Sequence, residues 1–222
     1  MGLPEFKKQQ IQERFGIKPD KFKRIISFID FGNVDYWYEL DEQDEDGTLL
    51  PSGQRLAINL QKLCDFLRLF SDDTRFYYGH DPANSGSLAF ISAAKHIFGR
   101  HRVFTKRIQQ VRHDLTPVDS ISNTRVVQSD DRGDFVLIPK CNFDVEISVD
   151  AIRLVDDYDT ICLLSSDSDF VSLLRYLRNR NKKIVLIKGG HIQSDLGALL
   201  DLKINAQDIK QYITMKKQRP GN

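Results

Sequence analysis

Apolar and polar positions follow two rhythms along this chain. Short runs of β-branched and aromatic residues read as strands, and the stretches between them repeat apolar residues every three or four positions, as on one helix face. The run RIISFID, ending on Asp30, predicts a buried strand. The acidic, glycine-containing ELDEQDEDGTLLPSG that follows reads as a solvated connection or a mobile flap. In QRLAINLQKLCDFLRLF, Leu56, Leu60, Leu63 and Leu67 make a helical stripe. TRFYYG predicts a second strand, and the turn-rich HDPANSG its exit. SLAFISAAKHIFG predicts a helix closed by Gly99, and HRVFTK a third strand.

From about 107 to 143 the rhythm breaks. Two strand-like runs, TRVVQ and DFVLI, flank SDDRGD and suggest a β-hairpin-like insertion. Alternation then resumes: DVEISVDAIRLVDDY as helix, TICLLSS as strand, DFVSLLRYLRNR as helix and KKIVLIKGG as strand. The segments SDLGALLDL and AQDIKQYITMKKQ predict one or two short helices and a frayed tail. The expected organisation is an N-terminal helical extension (1–22), an α/β domain (23–190) and a C-terminal helical segment and tail (191–222). Strands alternating with helices imply an α/β fold, a mostly parallel sheet with helices on both faces. Right-handed crossovers narrow the order to Rossmann-like or PIN-like doubly wound forms.

Composition changes little in this picture. The formal net charge is +1 across 222 residues, so the overall charge carries no nucleic-acid signature and any basic surface must be local. Cys64, Cys141 and Cys162 are far apart with no zinc-type spacing; Cys64 and Cys162 sit in apolar runs that suit buried thiols. Such sparse cysteine usage predicts a reducing compartment, and with no apolar run long enough to span a bilayer the expectation is a cytoplasmic protein.

The chemistry lies in the acids. Open α/β sheets bind ligands outside the carboxyl ends of their strands, which is where Asp30 and the SSDSDF after the TICLLSS strand fall. Taken singly, each acid has an ordinary role. Asp144 and Asp169 suit helix N-caps, Asp150 suits an ion pair with Arg153, and Asp30 suits a turn with Asn33. Taken together, Asp30, Asp167 and Asp169 crowd one edge, with the start of the Asp144 helix as a fourth side. Carboxylates so gathered repel one another, and a hard divalent cation removes that penalty. The chemistry that suits this set is metal-assisted phosphodiester hydrolysis.

Three blocks carry a family resemblance: FIDFGN at 28–33, KCNFDVEISVD at 140–150 and LLSSDSDF at 163–170. They resemble the signature blocks of the NYN domain, a member of the PIN-like nuclease superfamily, and of its LabA-like bacterial branch in particular. The resemblance implies a PIN-like α/β/α fold and a ribonuclease site dependent on Mg²⁺ or Mn²⁺. It also implies that Asp30, Asp144, Asp167 and Asp169 are catalytic and hold the metal, with Asn33 and Asp150 in support. Two positions depart from the family pattern: Cys141 and Ser166 stand where glycine is usual.

Lys140, Arg102, Lys106 and Arg107 are the expected substrate-binding cations, against the alternative that the basic run around them is a solvated edge. Tyr36, Trp37 and Tyr38 either stack unpaired bases or pack the first helix onto the sheet. His80 and Asp81 end the second strand at the same edge, in ordinary capping positions. The expected activity is endonucleolytic cleavage of single-stranded RNA. The alternative is a catalytically silent RNA-binding or regulatory scaffold, acting through the N-terminal helix. The insertion offers a surface for homo-oligomerisation. The chain carries no G-x-G-x-x-G turn and no P-loop, and Gly32 stands where an aspartyl phosphotransferase would carry its second acid.

Overall fold

A computed structural model of the chain describes residues 3–116 and 126–219. With strands numbered along the chain, its centre is a six-stranded parallel sheet. The members are β1 (Ile25–Asp30), β3 (Asp73–His80), β4 (Val103–Arg107), β8 (Thr160–Leu164), β9 (Lys183–Lys188) and β10 (Leu202–Asn205). Their spatial order is β10-β9-β8-β1-β3-β4. Two antiparallel units flank this sheet: a ribbon of β2 (Gln54–Ile58) with β11 (Thr214–Gln218), and β5 (Gln109–Asp114), β7 (Gly133–Lys140) and β6 (Gln128–Asp130) in the order β5-β7-β6.

The central strands are buried on both faces, which is why they read as unbroken apolar runs rather than alternating ones. Two cores result. On one face, Ile29, Cys162, Leu164 and Val185 pack beneath helices Leu3–Phe15, Leu60–Leu67, Ser85–Phe98 and Ala206–Ile213. On the other, Phe28, Tyr77, Ile161 and Leu163 pack beneath Asp144–Arg153 and Val171–Asn179. The expected α/β/α layering is therefore present. From β1 the chain lays down β3 and β4 to one side, then crosses to β8, β9 and β10 on the other. Order reverses between β1 and β8, which makes the crevice outside their carboxyl ends the topological switch point.

Several expectations need correction. QRLAI is not the first turn of a helix but strand β2; the helix begins at Leu60, where the Asn59 side chain accepts the Lys62 N–H at 3.0 Å. The C-terminal segment is not helical throughout, because Leu202–Asn205 joins the central sheet and Thr214–Gln218 pairs with β2. The acidic segment is pinned rather than a free flap: buried Asp44 accepts the N–H groups of Asp46 and Thr48 and pairs with Lys216 at 2.8 Å. The N-terminal helix buries Ile11 and Phe15 in the core. The expected hairpin is present as β6 and β7, closing at Asp130 opposite Gly133, while Thr124 and Arg125 of its expected first strand lie outside the described residues.

Candidate metal centre at the switch point

Asp30 is the last residue of β1, where the apolar run meets the crevice. Its Oδ2 accepts the Ser165 hydroxyl at 3.1 Å. Burial pushes its carboxyl up to about 6, the charges of Asp144 and Asp167 push the same way, and Ser165 opposes them. Across the crevice, β8 ends at Leu164 and the chain turns through Ser165 and Ser166 to Asp167. The Asp167 carboxylate accepts the Asp169 N–H at 3.0 Å and opens the short turn Ser168–Phe170, which buried Phe170 anchors. The capping role expected of Asp169 thus belongs to Asp167.

Asp144 is the first residue of its helix, set by buried Phe143 and Ile147. Phe143 takes the N-cap position, and Asn142 before it holds the acid: Asn142 Oδ1 accepts the Asp144 N–H at 2.7 Å, and Asn142 Nδ2 donates to Asp144 Oδ2 at 2.5 Å. Burial raises the Asp144 carboxyl, as do Asp167 and Asp169, against Asn142 and Lys106.

One carboxylate oxygen from each of Asp144, Asp167 and Asp169 lies within 4.8 Å of the other two. None of the three is in an ion pair among the described residues. Asp30 is not in that set; it stands on Ser165, close enough to feel the charges of Asp144 and Asp167. A cluster of hard oxygen donors in no ion pair among the described residues suits a divalent ion of the Mg²⁺ or Mn²⁺ type, which lowers the mutual repulsion.

The other expected residues fall in different places. Asn33 acts on Asp30 through its backbone N–H, which lowers that carboxyl against burial, while its side-chain Oδ1 accepts the Ser166 N–H and the Trp37 indole N–H, both at 3.1 Å, and so ties the β1 turn to the β8 turn. Asp150 lies away from the cluster, taking the Tyr77 hydroxyl at 2.7 Å with Arg75 and Arg153 nearby. Lys106 reaches Glu146 at 2.7 Å over the Phe143 ring, at the carboxyl edge and near Asp144. Arg107, the last residue of β4, and Lys140, the last of β7, are exposed at that edge. Arg102 is not there. It pairs with Asp73 at the amino end of the strands, and β4 separates it from the crevice by about 16 Å at ~3.3 Å per residue.

Of the aromatic trio, Tyr38 is buried with its hydroxyl on the Ala206 carbonyl, Trp37 packs on the core, and Tyr36 is exposed. His80 closes β3 with its Nδ1 buried and without a hydrogen-bond partner among the described residues, and Asp81 holds a turn by accepting the Ala83 N–H at 2.9 Å. Sequence reasoning missed Ser165 and Asn142, the polar groups that hold Asp30 and Asp144. Their signal was slight: a hydroxyl directly after a buried strand, and an amide two residues before a helix acid. It also missed what replaces the two glycines of the family pattern. Ser166 Oγ donates to the Gly189 carbonyl at 2.7 Å and accepts the Gly189 N–H at 3.0 Å, joining the β8 and β9 turns. Cys141 packs so tightly on Gly79 that a Cβ there would meet its Cβ and Sγ at 2.6 Å.

Crevice and fold together define an α/β protein with an acidic centre at its switch point, and the comparisons agree. The NYN domain profile matches residues 24–201, and the chain belongs to that family, a PIN-like one. Over 82 residues it is 34% identical to the Low amplitude and bright protein LabA of Synechococcus elongatus, which supports the LabA-like branch. That match covers 36% of this chain and 44% of LabA, so less than half of that relative's length is spanned. Among solved structures, a Vibrio parahaemolyticus protein of unknown function shares the fold with a TM-score of 0.59 at 17% identity, over 89% of this chain and 99% of that one. No helix among the described residues is long and apolar enough to cross a membrane.

Proposed function

We propose that this protein is a divalent-metal-dependent endoribonuclease acting on single-stranded RNA. The observation that carries the reading is the convergence of Asp144, Asp167 and Asp169 within 4.8 Å at the switch point, beside a buried Asp30. Asp30, Asp144, Asp167 and Asp169 would hold Mg²⁺ or Mn²⁺. A bound ion of this kind supplies Lewis acidity at a phosphoryl oxygen and lowers the pKa of an attacking water.

The remaining work belongs to the chain. Ser165 and Asn142 fix the Asp30 and Asp144 carboxylates, so the acids need not reorganise when a phosphodiester arrives. Asn33 acts as a positioning residue by holding the Ser166 N–H and hence the start of the Asp167 turn. Arg107 and Lys140 are the cations left exposed for phosphates. Lys106 sets the local field between Glu146 and Asp144. Asp150, tied to Tyr77 and Arg75, supports the helix rather than the ion.

The test uses end-labelled single-stranded RNA with Mn²⁺, Mg²⁺ or EDTA, for the wild type, Asp30→Asn and Asp167→Asn. Internal cuts that require metal and disappear in both folded variants are expected. RNA that is bound equally by all three proteins and cut by none would instead make this a PIN-like scaffold.

A further inference from the structure

On the opposite face of the same edge, the β2–β11 ribbon and the start of the Ser85–Phe98 helix enclose a groove of about 560 Å³. Its lining includes Asp35, Arg55, Tyr78, Asn84, Ser87 and Lys217. That volume lies within the range of about 300–1,000 Å³ typical of small-ligand sites.

The charges in this groove are unusually arranged. Arg55 and Lys217 are direct cross-strand partners, so two cations stand side by side on the ribbon. Like charges so placed destabilise a strand pair unless something neutralises them. Lys210 and Lys216 of the same C-terminal segment are paired with Asp41 and Asp44. Arg55 and Lys217, by contrast, are in no ion pair among the described residues, and Arg55 Nε is buried without a hydrogen-bond partner. Asp35 is the carboxylate of the lining. Burial raises its carboxyl while Arg55 and Lys217 lower it, and the lining sets two cations against this one acid. The positive end of the fourteen-residue helix adds to the same sign, and Asn84 and Ser87 present polar side chains at its start.

The groove also adjoins the acids. Tyr78 in its wall directly follows Tyr77, the register partner of Asp30 on β1, and precedes Gly79, on which Cys141 rests three residues before Asp144. A positive groove with an aromatic wall, next to a negative centre, matches a chain that alternates phosphates and bases. We propose that this groove seats the nucleotide flanking the scissile phosphodiester, its phosphate on Arg55 and Lys217 and its base against Tyr78.

This inference rests on the nuclease reading, but its test is binding, so either can fail alone. Anisotropy of a fluorescein-labelled oligouridine is followed in EDTA across a salt series. Wild type is compared with Lys217→Gln, Arg55→Gln/Lys217→Gln and Lys203→Gln. Lys217 is exposed, so its replacement leaves the fold intact. Expected is a severalfold weaker affinity for Lys217→Gln, with the slope of log affinity against log salt reduced by about 0.7 per cation removed. Lys203→Gln, on the far sheet edge, is expected to bind as wild type does. Unchanged affinity and slope in Lys217→Gln would overturn the assignment, as would a wild type that binds no RNA. Binding that depends on the groove in a protein that cuts nothing in Mn²⁺ would keep the groove and remove the nuclease.

Discussion

Asp30 sits where an apolar strand gives out, and desolvation holds its carboxyl at about 6 against an ordinary 3.8. The folded state therefore binds this proton more tightly than the unfolded state does. The resulting stabilisation is complete below pH ~4 and is lost as pH rises through ~6. Above that range, ionised Asp30 costs the metal-free protein up to about 3 kcal/mol. Asp30→Asn should accordingly raise the melting temperature in EDTA at pH 8 and change it little at pH 4. Equal melting temperatures at pH 8 would refute the burial argument. Trp37, the sole tryptophan, offers a second residue-scale test. A Cβ on Gly189 would lie 2.6 Å from the Trp37 ring, so Gly189→Ala must push the indole off Asn33. A loss of about 1–3 kcal/mol in denaturant stability and a shifted tryptophan emission are expected. At this scale the sequence made the acids visible but not their holders. Asp30 could be read because a charge ending a buried strand is conspicuous, whereas Ser165 and Asn142 belong to residue types that occur in every turn.

At the scale of elements, the segment 54–67 shows what periodicity can hide. Leu56, Leu60, Leu63 and Leu67 fit a helical repeat, yet Leu56 lies on a strand and the helix starts four residues later. The two are joined by Asn59, whose side chain accepts the Lys62 N–H and whose own N–H reaches the Ile213 carbonyl. Asn59→Ala should cost about 1 kcal/mol and Asn59→Asp much less, measured by chemical unfolding. The buried strands β1, β8 and β9 were legible because burial on both faces makes continuous apolar runs. The ribbon strand β11, TMKKQ, was not, since four of its five residues are exposed and its pairing with β2 spans most of the chain.

At the scale of the molecule, the reversal of strand order between β1 and β8 brings Asp30 opposite Asp167. No local pattern encodes that placement; it depends on which side of β1 the chain chooses after β4. If the acids hold a cation, saturating Mn²⁺ should stabilise the protein, by about 2.7 kcal/mol at a hundredfold excess over Kd, and Asp167→Asn should abolish the gain in thermal unfolding. A further consequence follows from Gln109 and Lys140 facing each other at the base of the β5–β7 unit. The chain enters this unit from β4 and leaves it toward the Asp144–Arg153 helix across one strand spacing, about 4.8 Å. A segment with so narrow a waist can be shortened, lengthened or exchanged while its host keeps its shape. Residues 110–116 and 126–139 can on that account change in length or sequence while the acids behind them stay in place.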